Sequence, residues 1–282
     1  MAAMLLAASS ADAQNTMRVH QKDGTIHEYS ITDVDFVDWY EKTTPEGEGT
    51  DPKFEDIEIN GTTYHLGISG AIDLGLGVKW AAYNVGAETP GEYGDYFAWG
   101  ETTGYNDGKT TFKWSTYKYM QEGYSDYNHV TKYTTEDNKK GGCWYDGDTY
   151  VGTTVDGVTY KNKTQLDAED DAAHVKWQGS WRMPTNAEQD DLRNKCTWVW
   201  ATYGGHNGYV VAGSTGNAIF LPAAGYRNNG SLDYAGSYGY YWSSSLSESY
   251  SYLAYELYFD SSSVRRYGSN RDGGQSVRPV CP

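Results

Sequence analysis

Trp181-Arg182-Met183-Pro184-Thr185-Asn186-Ala187-Glu188 is the stretch from which the rest of the chain can be read. Thr185 followed three residues later by Glu188 is a capping box, in which each side chain satisfies a backbone N–H at the helix start. The spacing therefore predicts a helix running to about Cys196. A second helix is expected within Leu166–His174, whose acidic start suits the positive end of a helix dipole. What surrounds these two helices reads as strand and loop. Ile57–Ile59, Thr63–Leu66, Lys79–Ala82, Asp95–Trp99, Tyr209–Ala212, Ala218–Leu221, Tyr240–Ser244 and Tyr252–Phe259 are short runs of strand type. In the last of these, Tyr252, Ala254, Glu256 and Tyr258 alternate with Leu253, Tyr255, Leu257 and Phe259, which predicts one exposed and one covered face. Residues 100–165, rich in Gly, Asn, Asp and Tyr without a period, predict long loops. The class is α+β, with few helices, short antiparallel strands and long loops.

Upstream, residues 17–31 alternate on either side of Asp23-Gly24, a hairpin signal. Asp33–Trp39 continues as a third alternating segment. Acids together with Pro45 and Pro52 then mark a solvated linker. The expected organisation is a small β appendage at 15–43, an acidic linker at 44–55 and the main domain at 56–282. Residues 1–14, MAAMLLAASSADAQ, hold a short apolar run ending in Ala11-Asp12-Ala13, the small-x-small pattern of a signal-peptidase site. No Lys or Arg precedes Arg18, so the usual positive start is missing. The run is too short to span a bilayer. The expectation is an exported protein, at the cell surface, outside the cell or in the periplasm, with no transmembrane segment.

Composition narrows the function. The chain has 22 Lys and Arg against 38 Asp and Glu, a net charge of −16. That argues against nucleic acid, whose phosphates need basic partners, and against an electrostatic membrane anchor. Tyr (27) and Trp (10) far outnumber Phe (6). Side chains with an apolar body and a polar tip favour contact surfaces as well as core. Cys143, Cys196 and Cys281 allow one disulfide plus one thiol, without fixing the pairing. There is no CxxC and no His/Cys pair at zinc spacing. Asp167, Glu169, Asp170 and Asp171 crowd four carboxylates into five residues. Calcium is one reading, but they lack EF-hand spacing and a solvated helix start fits better. Trp99, Trp114, Trp144 and Trp177 could stack sugars, though core packing is the commoner fate. No catalytic residue, metal or cofactor is expected.

Several ordered motifs together resemble a known family. They are Ala71–Ala81 (AIDLGLGVKWA), Asn84-Val85-Gly86, Gly94–Glu101 (GDYFAWGE), Asp170–Ala173 (DDAA), Trp181–Thr185 (WRMPT), Leu221–Gly225 (LPAAG), Tyr241–Ser244 (YWSS) and Ser276–Val280 (SVRPV). Over about residues 57–280 the chain resembles the Fibrobacter succinogenes major paralogous domain, common in surface proteins of gut Bacteroidetes. The hairpin at 17–31 looks like the short segment that often precedes that domain. Residues 181–188 are also similar to the R-L-P-T-x-A-E segment of formylglycine-generating-enzyme-like domains, and the ending from Gly274 to Arg278 is shared. That resemblance implies a C-type-lectin fold. The paired active-site cysteines of those enzymes are absent, as are the calcium-lectin E-P-N, Q-P-D and W-N-D sequences. Fold carries over; activity and calcium-dependent sugar binding do not.

Residues 226–273 contain 12 Ser, 10 Tyr, 5 Gly, 3 Asn and 3 Asp, and no Lys follows Lys195. This is the palette of antibody paratopes. Arg227, Gly236, Gly239, Tyr240, Trp242, Leu257, Phe259, Val264, Arg266, Arg271 and Gly274 read as interleaved scaffold. Mutating the adenines of an AAC codon yields Tyr, Asp, Ser, Gly and Arg among others, but never Lys. The tail thus looks like the variable segment of proteins diversified by retroelements, which lies at the end of a C-type-lectin-fold domain. The expected ligand-binding residues are Asn228, Asn229, Ser231, Asp233, Tyr234, Ser237, Tyr238, Ser249, Tyr250, Ser251, Tyr252, Arg265, Tyr267, Ser269, Asn270 and Asp272. The expected function is recognition of a protein or glycan ligand by a receptor or adhesin. A fixed-specificity carbohydrate-binding or adhesin component, and an enzyme of the formylglycine-generating superfamily, remain as alternatives.

Overall fold

The computed structural model describes residues 51–134 and 163–282 in full, with the backbone of six short strands elsewhere. Residues 1–14, the segment 33–39, the linker up to residue 50, Cys143 and Trp144 lie outside the described residues. The chain divides into two units, Met1–Thr43 and Thr44–Pro282. In the first, β1 (Thr16–His20) and β2 (Ile26–Ser30) pair antiparallel, from Thr16 opposite Ser30 to His20 opposite Ile26. This is the expected hairpin about Asp23-Gly24.

The second unit is mostly β with few helices, an α+β fold. It opens with β3 (Lys53–Ile59) and β4 (Thr62–Ser69). β3 takes in residues 53–55, which the acids and prolines had assigned to the linker, because Phe54, Ile57 and Ile59 are partly buried along it. Next come β5 (Ala71–Ile72) and β6 (Lys79–Ala81). Asp95–Trp99, expected as a strand, makes an isolated bridge from Phe97 to Gln275. Its N–H groups are divided between two segments: Asp95 donates to Val85 O, whereas Phe97 and Trp99 donate to Gln275 O and Arg271 O. All five of its residues are buried, so neither face alternates. Residues 100–134 form the expected long loop, with 3₁₀ turns at Trp114–Thr116 and Tyr127–His129. Beyond it, β7 (Tyr145–Asp146) pairs with β8 (Thr149–Tyr150), and β9 (Thr153–Val155) with β10 (Val158–Tyr160), where an unbroken loop was expected.

The expected helix at 166–174 is divided. A 3₁₀ turn at Ala168–Asp170 precedes α1 (Ala172–Trp177), because Asp171 is extended (ψ 109°) and caps α1 by accepting from His174 N. α2 (Asn186–Lys195) has both bonds of the capping box. The strands that follow are β11 (Thr197–Tyr203), β12 (His206–Ala212), β13 (Asn217–Pro222), β14 (Tyr226–Asn228), β15 (Ser231–Asp233), β16 (Tyr238–Leu246), β17 (Leu253–Asp260), β18 (Ser263–Asn270) and β19 (Val280–Cys281). They build a five-stranded sheet, β11-β12-β13-β4-β3, and a three-stranded sheet, β16-β17-β18. β13 and β4 run parallel, which departs from the antiparallel expectation. β19 pairs with β6, joining the end of the unit to its beginning.

The β16–β17 ribbon lies between two cores. Trp242, Leu246 and Ala254 pack with Phe97, Trp99 and Trp181, whereas Tyr241, Leu257 and Phe259 pack with Trp80 and Tyr209. The expectation of one exposed face along β17 is therefore corrected: Ala254 and Glu256 are buried and only the end bearing Tyr258 opens out. Arg278 fastens the ending of the chain. Its fully buried guanidinium donates to Ala81 O, Ala82 O, Phe220 O and Asn84 Oδ1 over 2.7–3.1 Å. Among the described residues no helix is long and apolar enough to cross a membrane.

Candidate functional site

In an antiparallel sheet, directly opposed residues share a face. Tyr240 of β16 opposes Tyr258 of β17, which opposes Arg265 of β18. Tyr238 and Tyr267 follow at two-residue spacing on the same face. Gly239, between Tyr238 and Tyr240, is required by packing: a Cβ there would come 2.1 Å from the Phe259 ring. The β14–β15 hairpin brings Tyr226, and Tyr234 follows it in the left-handed region (φ 60°).

Six tyrosines thereby form one continuous patch. Ring centroids lie 6.1 Å apart for Tyr226–Tyr234, 5.0 Å for Tyr226–Tyr240 and 5.1 Å for Tyr234–Tyr238. Tyr238–Tyr258, Tyr240–Tyr258 and Tyr258–Tyr267 are separated by 5.8, 5.3 and 5.3 Å. Such pairs contribute about 0.5–1.5 kcal/mol each beyond area burial, so the rings hold one another in place before any ligand arrives. Tyr234 and Tyr267 are the most open, 57% and 45% exposed.

Tyr234, Tyr238, Arg265 and Tyr267 of the expected set belong to this patch, Arg265 donating to Tyr267 Oη at 3.1 Å. Asn228, Asn229, Ser231 and Ser237 are exposed beside it, and Asp233 is half-buried. Tyr226 and Tyr258 were not among the expected residues, and Tyr240, expected as scaffold, is half-buried within the patch. Asn229-Gly230 as a two-residue hairpin loop was the signal for the first, and strand parity for the other two. A second cluster gathers Tyr250 and Tyr252 with Tyr127, at centroid distances of 5.4 and 4.8 Å. Tyr127 comes from the long loop and was also missed. Ser249 and Asn270 are exposed, while Ser269 and Asp272 are half-buried. Burial pushes the Asp272 carboxyl up to about 6.

Ser251 is a correction. It is fully buried, its Oγ lies 3.2 Å from Thr134 Oγ1, and its carbonyl accepts from Arg271. Arg271 is scaffold as expected, donating also to Tyr117 Oη, Tyr133 O and Lys132 O. Arg227 stacks 3.2 Å from the Tyr105 ring centroid. Arg266, also expected as scaffold, is exposed and ion-paired with Asp190. On the same face, opposite Tyr267, is Glu256, 2% exposed and hydrogen-bonded to Gln275 and Ser269. Burial lifts its carboxyl to about 7 against the pull of those bonds.

The crowded carboxylates are not a solvated helix start. Asp170 and Asp171 are buried, and the oxygens of Asp167, Glu169 and Asp170 converge. The Lys132 ammonium stands at that convergence, 3.0, 3.3 and 2.7 Å from them. Lys163 and Lys118 add bonds to Asp167 and Asp170. Burial alone would raise both carboxyls, but these donors hold them below the usual range. The donor set is matched to lysine rather than to a metal ion. Trp99 and Trp177 are core. Cys196 and Cys281 are not joined to each other, and burial pushes the Cys196 thiol up to about 11, leaving little nucleophilic thiolate near neutrality.

A family model described as a domain of unknown function, DUF8237, matches residues 200–280, the stretch that carries the six-tyrosine patch together with Tyr250 and Tyr252. No curated protein and no solved structure matches the chain.

Proposed function

We propose that the chain is an exported, cell-surface ligand-binding protein of receptor or adhesin type, with a C-type-lectin-like fold and a tail diversified by a retroelement. The observation that carries this reading is the patch of Tyr226, Tyr234, Tyr238, Tyr240, Tyr258 and Tyr267, built on a sheet whose other face is core. Tyrosine buries rigid amphipathic area at small entropic cost, and the exposed Asn and Ser side chains nearby supply orienting hydrogen bonds. The pairing of β6 with β19, the two helices and the long loop at 100–134 support the lectin-like architecture. Diversification is supported by the division of the tail, with the expected variable positions mostly exposed and Gly239, Trp242, Phe259 and Arg271 buried.

The test is binding on protein and glycan arrays by the wild type and by Y234A/Y267A. The double variant is expected to lose binding at least tenfold while melting within a few degrees of wild type. Undiminished binding by the folded variant would place recognition elsewhere.

A further inference from the structure

β18 is the outer strand of its sheet, and successive residues on it face opposite ways. Arg265 and Tyr267 stand on the tyrosine side, while Arg266 turns toward α2. There Arg266 Nη1 lies 3.0 Å from Asp190 Oδ2, and Arg193 Nη2 lies 3.0 Å from Asp190 Oδ1. With Arg265 and Tyr267 these residues line a shallow, open recess. Three guanidiniums and one carboxylate thus line it, two of the guanidiniums paired with that carboxylate, in a chain whose net charge is −16. The neighbouring Lys195 and Asp191 cancel as a pair. Asp260 also acts on Arg265, but its carboxylate already accepts from the backbone of Ser262 and Ser263.

Stability does not account for this surplus, because exposed ion pairs contribute little and crowded like charges repel. Each guanidinium has five donors in a planar fork. Asp190 takes two from Arg193 and one from Arg266, and Tyr267 takes one from Arg265. The donors left over suit a tetrahedral oxyanion, whose three terminal oxygens can each meet a fork. Tyr267 has its hydroxyl bonded to Arg265 and its ring 5.3 Å from Tyr258, so one ligand can reach recess and patch together. We propose that the recess is an oxyanion subsite for a sulfate or phosphate ester on a sugar ligand that lies across the tyrosines. This rests on the reading of the patch as the ligand surface. Sugar is favoured because flat ring faces match aromatic rings, and tyrosine hydroxyls match sugar hydroxyls.

The experiment is an array of matched oligosaccharides, each bare, 6-sulfated and 6-phosphorylated, with polyglutamate alongside, probed with the full chain, R265Q, R265K and Y234A. Arg265 is exposed, so its variants are expected to keep the fold, which their melting temperatures check. Charged sugars are expected to bind at least tenfold tighter than their bare parents. R265Q should erase that preference and R265K restore part of it. The sulfated and phosphorylated arms distinguish the two esters, and a preference for either supports the subsite. Equal binding of bare and charged sugars overturns the subsite and leaves the patch standing. Unchanged binding of charged sugars by Y234A overturns the patch reading and leaves the subsite. Preference for polyglutamate over every sugar, or no binding of any sugar, overturns the assignment to a sugar ester.

Discussion

Arg278 shows how one buried charge can be afforded without an acid. Burial pushes its guanidinium down to about 10, yet four acceptors, three of them backbone carbonyls, meet it. Hydrogen bonds to charged groups contribute roughly 1.5–3 kcal/mol each. Lysine keeps the charge but cannot span the same fork, so R278K is expected to destabilise by about 3 kcal/mol or more in denaturant unfolding. Glu256 is the opposite case, a carboxyl whose burial favours the protonated form. Its folded value near 7 exceeds the ordinary 4.5 of the unfolded chain. The folded state therefore binds the proton more tightly. The resulting stability is complete below about pH 4.5 and is lost as pH rises through 7. E256Q, neutral throughout, should flatten that decline and melt above wild type at pH 8. A steeper decline in E256Q would contradict the assignment. Of these two residues, Arg278 was legible as part of a C-terminal motif. The burial of Glu256 was not legible, because alternation reports a pleat and not what lies on each side of it.

At the scale of elements, α2 was the most readable piece of the chain. Its start is decided locally: Thr185 Oγ1 accepts from Glu188 N, and Glu188 also receives the Arg182 guanidinium at 2.6 and 2.8 Å. T185A removes one side of the box and is expected to cost about 1 kcal/mol, a fall of roughly 2–4 °C in Tm for a domain of this size. No change would mean that Arg182 and Glu188 alone hold the helix start. Elements fixed by distant partners were less legible. Asp95–Trp99 looks like a strand, but tertiary bonds to Val85, Arg271 and Gln275 divide its ladder. The acids at 167–171 look solvated because Lys118, Lys132 and Lys163, which pair with them, are remote or unremarkable in sequence. The tyrosine patch was legible in composition and, for Tyr234, Tyr238 and Tyr267, in membership. Tyr226 and Tyr258 join it through hairpin geometry and register, and Tyr127 reaches the second cluster from a loop more than a hundred residues upstream.

At the scale of the molecule, exposed and buried positions are interleaved along one stretch of chain, residues 226–273. The charge of −16 sets a background against which the arginines at the edge of β18 stand out. The central claim is that exposed positions of the tail vary for recognition while buried ones between them hold the fold. Deep sequencing of the gene's 3′ end across a population of cells tests it most directly. Substitutions should gather in the codons for Asn228, Asn229, Ser231, Tyr234, Ser237, Tyr250 and Tyr267, and spare those for Gly239, Trp242, Phe259 and Arg271. Substitutions falling as often on the buried codons, or a tail identical in every cell, would contradict it.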